Sequence, residues 1–472
     1  MSTLSEIGLA RRQRVFAKME TAVGEMIFPS GTLDFIRPAG NASITQNPAF
    51  ADSEELANTL DVLDQFQGAT PAGKWSLVMY LRPTGTLGVA QRMQGSCLLQ
   101  SLQGASLSTL TATLTANPGA TAATVVIGTI ASSQSGGVLP ENGVIKIVEA
   151  GGGGKLEYIH YTGITRVLRD STTATLTGCT RGYNSSTAAT HTAANVITLQ
   201  SPFYQQKTTS PTFSLWIETD HFVQGLSGCS VETAAFDIAV EGGVKLTMDG
   251  QGMQMVYAGS SILTASVAAT ADHIHVTDAS LFSAGAYIYD STAGTMVRLI
   301  SSVDTSANTI SLSTTVQGAT WASGNTIRGF LPPGTEIGDP IESKDTVAKV
   351  SGVTAKIKTG SLSFKTPKKY LEDEIGTDYP EDFMEDKRDI TSTLSLYFRK
   401  ADAKYFTDGF AGEEVPVLVT FGDTAGSILD VYMKRCKLTV PTINYASPAV
   451  ELSIPIKALG IVGEDSAEIT VR

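Results

Sequence analysis

Alternation of apolar and polar residues with a period of two runs through most of this chain, and it restricts the fold more than any other feature. Successive strand side chains point to opposite faces, so the pattern buries one face of a sheet and wets the other. Trp75 to Leu81 (WSLVMYL) reads as a strand. So do Phe213 to Ile217, Ala235 to Val240 and Val244 to Met248, the last two joined at Glu241-Gly242-Gly243, where glycine accepts the positive φ of a tight turn. Ala355 to Phe364, Ile390 to Phe398, Pro416 to Phe421, Ser427 to Met433, Lys437 to Val440 and Val450 to Lys457 follow the same pattern. Only three stretches predict helices. They are Leu4 to Val23, Ser53 to Phe66 with Ser53 as cap and Leu56, Leu60 and Leu63 on one face, and Lys400 to Phe410, stopped by Gly409 and Gly412. The expected class is mainly β, a barrel or sandwich with a few short helices.

Two stretches, 109–201 and 262–330, are rich in Ser, Thr, Ala and Gly and poor in charge. They resemble each other. Gly143 and Gly285 each open an alternating strand, TATLTG matches NTISLS, and a closing segment sets His191 against Trp321 and Asn195 against Asn325. We read them as two related β-domains inserted into one host domain formed by 1–108, 202–261 and 331–472. Surface loops tolerate such insertions, since closure entropy grows slowly with length.

The chain has 472 residues and a net charge of −12, with 34 basic and 46 acidic side chains. Phosphate neutralisation supplies most of the affinity of nucleic-acid binders, so this balance argues against gripping DNA and is compatible with DNA sliding past. Met1 to Glu25 has no apolar core of a secretory signal, and no apolar run approaches the ~18 residues of a membrane span. Cys97, Cys179, Cys229 and Cys436 are scattered, without a CxxC pair, and read as buried thiols in a reducing cytoplasm.

Chemistry-bearing motifs are sparse, and the chain does not read as an enzyme. The five histidines lie near no GxSxG, and Glu157 is the only acid close to His160 and His191. His273 and His275 share one strand face, the spacing of a two-histidine metal site, but only Asp272 and Asp278 lie nearby; no metal or cofactor is expected. Gly151 to Gly154 lacks the following Lys-Ser/Thr of a phosphate cradle.

Lys365 to Arg388 stands out, with five basic and eight acidic residues between two good strands. Connections of this length are usually functional or interface-forming. We expect an arm that docks on a neighbouring subunit. Tyr370, Tyr379, Phe383 and Met384 would anchor it; Lys368, Lys369, Glu372, Asp373, Glu374, Asp386 and Arg388 would set its register.

The host pieces carry RRQRVFAKMET and WSLVMYLRPTGTLG, then SLWIETDHFVQGLSGCSVETAAFDIAVEGGVKLTMDGQGM, then KTGSLSFKTPKKYLEDEIGTDYPEDFMEDKRDITSTLSLYFRKADAKYF, and PTINYASPAVELSIPIKALG. In these segments the chain resembles the tail tube subunits (major tail proteins) of long-tailed bacteriophages. The two inserts depart from a minimal subunit. The resemblance implies homo-hexameric rings that stack around a tape measure protein, with tail terminator and distal tip proteins at the ends. Viral DNA would cross the lumen in transit, and the protein would reside in the virion tail after assembly in the host cytoplasm. Inserts on the outer wall would obstruct a sheath, which favours a non-contractile tail. On this reading alternation places Asp237 and Glu241 on a lumen-facing strand face, with Phe236, Ile238 and Val240 behind them and Lys245, Thr247 and Asp249 beside them. The alternative is a receptor- or carbohydrate-binding protein of a phage tail tip.

Overall fold

The computed structural model describes residues 12–472 except 31–33, 55–60, 62–63, 89–92, 105, 108–109, 132–138, 150–154, 166–171, 207–209, 293–294, 317–319, 373, 446–447 and 462–464. The protein is mainly β, in several antiparallel sheets. The chain opens with β1 (Arg14–Met19), β2 (Phe35–Ile36), β3 (Ser43–Thr45), β4 (Phe50–Asp52), β5 (Gln65–Gln67), β6 (Gly73–Tyr80), helix α1 (Ser96–Gln103) and β7 (Ser106–Leu107). A separate eight-stranded sheet follows: β8 (Thr111–Leu114), β9 (Thr124–Ala131), β10 (Gly143–Val148), β11 (Leu156–Tyr161), β12 (Gly163–Thr165), β13 (Ala174–Thr177), β14 (Thr180–Tyr183) and β15 (Val196–Leu199). The chain returns to the large sheet with β16 (Phe203–Gln205), β17 (Phe213–Thr219), β18 (Phe222–Ile238), β19 (Lys245–Gly252) and β20 (Met255–Ala258). A six-stranded sheet comes next: β21 (Ser260–Ile262), β22 (His273–His275), β23 (Tyr287–Asp290), β24 (Thr295–Asp304), β25 (Thr309–Leu312) and β26 (Thr326–Gly329). The remainder is β27 (Val347–Val350), β28 (Val353–Ala355), β29 (Ile357–Lys365), β30 (Lys368–Tyr370), β31 (Phe383–Glu385), β32 (Asp389–Tyr397), helix α2 (Lys404–Ala411), β33 (Glu414–Phe421), β34 (Leu429–Leu438), β35 (Thr442–Asn444), β36 (Glu451–Ala458) and β37 (Glu468–Val471).

The large sheet is built twice on one plan. In its first half β1 pairs with β2 and β17, β17 with β18, β18 with β19 and β20, β19 with β6, and β6 with β3. In its second half β27 pairs with β28 and β33, β33 with β34, β34 with β36 and β37, β36 with β32, and β32 with β29. The match extends to register. Phe213 faces Cys229 and Leu215 faces Leu226 across a bulge; Val415 faces Cys436 and Val417 faces Met433 across another. Each of these cysteines donates to the carbonyl three residues earlier, Leu226 or Met433. Val15 lies between Ile217 and Ile36 as Ala348 lies between Val419 and Ala355. α1 follows β6 as α2 follows β32.

One pairing, β18 with β29, fuses the halves into a continuous run β3-β6-β19-β18-β29-β32-β36-β35. The apolar face of this run, including Ile44, Leu77, Met248, Phe236, Leu362, Leu394 and Ile454, closes on one core with β17, β33 and α1. Phe236 of β18 stacks on Phe421 of β33 across that core, ring centroids 5.5 Å apart.

The two smaller sheets share a plan as well. β15 lies between β8 and β10 as β26 lies between β21 and β23, and β13 pairs with β9 as β25 pairs with β22. The backbone bonds repeat: Leu114 N to Asn195 O at 3.0 Å and Leu263 N to Asn325 O at 2.9 Å, His191 N to Pro118 O at 3.3 Å and Trp321 N to Val267 O at 3.2 Å. Pairing shifts one correspondence. Gly143 matches Ala286 and not Gly285, because Ile145 faces Leu199 as Ile288 faces Gly329.

The strand expectations hold broadly, with corrections at several ends. Residues 14–19 of the first expected helix form β1, and Leu4 to Arg11 lie outside the described residues. Val15 and Ala17 face the main core while Phe16 faces the core of the six-stranded sheet, so burial on both faces erased the alternation. The expected Ser53 to Phe66 helix begins after β4 and ends inside β5, which pair as a ribbon; Leu56, Leu60 and Leu63 are not described. The third helix forms as a 3-10 turn, Lys400–Ala403, running into α2 and ending at left-handed Gly412 (φ 63°). α1 was not foreseen: every residue of SCLLQSLQ is buried, so the segment shows no wet face. β18 stops at Ile238, leaving Val240 61% exposed and Glu241 in the turn rather than on the strand.

Candidate assembly surfaces

The charged segment Lys365 to Arg388 folds as a second ribbon, β30 against β31, with Tyr370 opposite Phe383. Much of it is fastened to its own chain. The Tyr370 ring is buried, and its hydroxyl lies 2.8 Å from Ser230 Oγ, 2.8 Å from Gly228 O and 3.0 Å from Gln251 O. Burial pushes its phenol well above the usual range. Gly228 makes this fit possible: its φ is +61°, and a Cβ there would lie 2.5 Å from Met253. Its N–H donates to Glu20 at 2.8 Å, and burial raises the Glu20 carboxyl above its ordinary value despite four such donors. The Lys368 side chain is fully buried, with Nζ 3.8 Å from Glu385 and 5.2 Å from the centroid of the Phe383 ring. Burial lowers its pKa to about 8, against the pull of Glu385.

Further along, Glu372 accepts from Ala72 N at 2.8 Å, Thr70 N donates to Asp378 O at 2.9 Å, and Glu385 accepts from Ser210 N at 2.6 Å. Arg388 reaches Glu385 at 3.4 Å. Tyr379 lines a cleft of about 410 Å³ with Val23, Gly24, Met253 and Glu381. Lys369, Glu374 and Asp386 face solvent, Asp373 is not described, and Ile375 and Met384 are bare apolar side chains. Two expected anchors, Tyr370 and Phe383, are therefore spent inside the chain, and the exposed apolar groups of the arm are Ile375 and Met384.

The arm has a twin. The β4–β5 ribbon joins β3 to β6 as β30–β31 joins β29 to β32, and β3 and β6 are the strands equivalent to β29 and β32. All six of its residues are exposed, including Phe50 at 60% and Phe66 at 58%. A two-stranded ribbon with neither face covered is marginal in water. A helical reading of 53–66 concealed it.

The solvent face of the strand run carries Ser43, Thr45, Ser361, Thr391 and Thr393. Asp237 is exposed there, directly between Lys245 and Ser361 on the adjacent strands. Thr247 and Asp249 share that face in part, with Thr233 Oγ1 bonded to Asp249. Glu241 does not join it, because the strand has ended.

Among the described residues, the other polar clusters are structural in their contacts. Glu157 is completely buried beneath Arg181, whose Nε and Nη2 donate at 2.8 and 2.7 Å; Gly182 N, Ala189 N and His191 Nε2 complete its shell. Burial would raise this carboxyl, but these partners hold it below its usual value. Such a node stabilises loops and offers no cleft or nucleophile. His160 is held by Asn142 at 2.8 Å, and burial, with Arg472 and Lys349, lowers its pKa to about 3. Asn142 also donates to Asp430 at 3.0 Å, tying the eight-stranded sheet to the large one. His273 and His275 do share a face, ring centroids 5.6 Å apart, but bond Asp272 and Thr309 instead; among the described residues no three metal-binding side chains cluster.

No family model matches the chain, and no curated protein matches it.

Proposed function

We propose that this chain is a structural subunit of a bacteriophage tail tube, forming stacked rings of six β-units around a tape measure protein and a conduit for viral DNA. The observation that carries this reading is the strand run that ends at both sides without a strand partner. Among the described residues β3 pairs only with β6 and β35 only with β36. Open edges of this kind aggregate unless they are met by another chain, and ring closure removes them. The hydroxyl-rich outer face of the run suits a lumen wall. Asp237 is offset there by Lys245, so weak adhesion of DNA rests more on hydroxyls than on a dense acidic lining. Two ribbons leaving the same end of equivalent strands supply contacts to the next ring, through Phe50 and Phe66 in one and Ile375 and Met384 in the other. Negative-stain microscopy of the purified protein tests the reading. Rings or tubes are expected; a folded monomer with glycan affinity would replace it with a tail-tip adhesin.

A further inference from the structure

The geometry points to a specific joint between copies of this chain: β35 of one pairs antiparallel with β3 of the next, repeating the internal β18–β29 joint, so that three chains supply the six units of a ring. This rests on the ring reading above and names its contact. The argument is superposition by register. Ile44 faces Trp75 as Leu362 faces Ser392, which makes β3 the counterpart of β29. Phe236 faces Leu246, and Ile443 faces Leu452, on the equivalent strands β19 and β36; β35 is thus the counterpart of the last residues of β18.

Inside the chain these counterparts meet: Ala235 faces Ser363, Phe236 faces Leu362 and Asp237 faces Ser361. Transferred to the outer edges of β3 and β35, the pairs become Thr442 with Thr45, Ile443 with Ile44, and Asn444 with Ser43. Faces agree, as a real pairing requires. Ile44 and Ile443 both lie on the core side, whereas Thr45, Ser43, Thr442 and Asn444 are all exposed. Backbone direction agrees too. Both polar groups of Ala42 point away from β6, where the Gln13 side chain meets them at 2.8 and 2.7 Å, so those of Ile44, two residues on, point the same way. Thr45 and Thr442 then form a close, non-hydrogen-bonded pair, with Cα atoms about 4.5 Å apart and within disulfide reach. The joint is heterologous, one edge against a different edge, which is the arrangement that generates rings.

The test is a double variant, Thr45→Cys with Thr442→Cys, oxidised with copper-phenanthroline and run on a non-reducing denaturing gel beside each single variant. Covalent dimers and trimers, with nothing larger, are expected from the double variant and not from either single one. Pairing Thr45→Cys with Asn444→Cys, two residues out of register, should cross-link at least tenfold less. Rings by microscopy without cross-links would overturn the joint and leave the tube reading standing. A ladder reaching six chains would overturn the count of three. A folded protein with neither rings nor cross-links would remove both.

Discussion

The two halves of the large sheet repeat the pairings of their equivalent strands and differ at their outer edges, where β37 also pairs with β16 while its counterpart β20 has β18 as its only strand partner among the described residues. In the first half, the last stretch of β18 lies between β19 and β29; in the second, the equivalent β35 pairs with β36 and has no strand on its other side among the described residues. The side chains follow this difference. Phe236 is fully buried and stacked on Phe421, whereas its counterpart Ile443 is only half-buried. The ribbons differ in the same spirit: one is pinned by buried Tyr370 and Lys368, and the other exposes both faces. A duplicated unit thus keeps its core plan while each copy is trimmed to its neighbours.

The comparison breaks first at the joint. Phe236→Ala should cost about 3–5 kcal/mol in denaturant unfolding, the range for a large aromatic removed from a core. Ile443→Ala should cost only about 1 kcal/mol in the dissociated chain, while sharply reducing ring assembly by light scattering. Equal losses of chain stability would mean that the two edges are alike.

The second effect is pH-dependent. The folded pKa of Lys368, about 8, lies below its ordinary 10.5. Between those values the unfolded chain binds more protons, so stability contributed at this site rises with pH from about 8 to about 10.5, by at most about 3 kcal/mol. Lys368→Met should abolish that rise relative to the parent protein. A parallel pH profile for parent and variant would show that the ribbon base is wet.

Smaller effects separate the ribbons. Tyr370→Phe removes the one hydroxyl proton that Gly228 O and Gln251 O share and should cost about 1–2 kcal/mol. Phe66→Ser should change unfolding of the dissociated chain by less than about 0.5 kcal/mol, since that residue is 58% exposed. Its expected loss is in tube length by microscopy.

Much of the fold was legible because half-buried strands print their geometry on the sequence. Trp75 to Leu81 and Ile390 to Phe398 alternate since one face meets a core and the other water. β1 and α1 were illegible for the opposite reason, being covered on both sides. The arm announced itself by charge, but its ownership did not: nothing in Tyr370 tells whether it docks on its own chain or on a neighbour. The kinship of the two small sheets showed through as aligned His191 and Trp321, Asn195 and Asn325.

By itself, then, the sequence determined a β-rich chain, the spans of most strands and the arm, since these depend on local alternation and charge. Only the tertiary structure decided which strands pair. That decision revealed the duplication of the large sheet, because the paired residues Phe213 with Cys229 and Val415 with Cys436 are remote in sequence; burial and register repeat in both pairs, whereas the side chain repeats only at the cysteine.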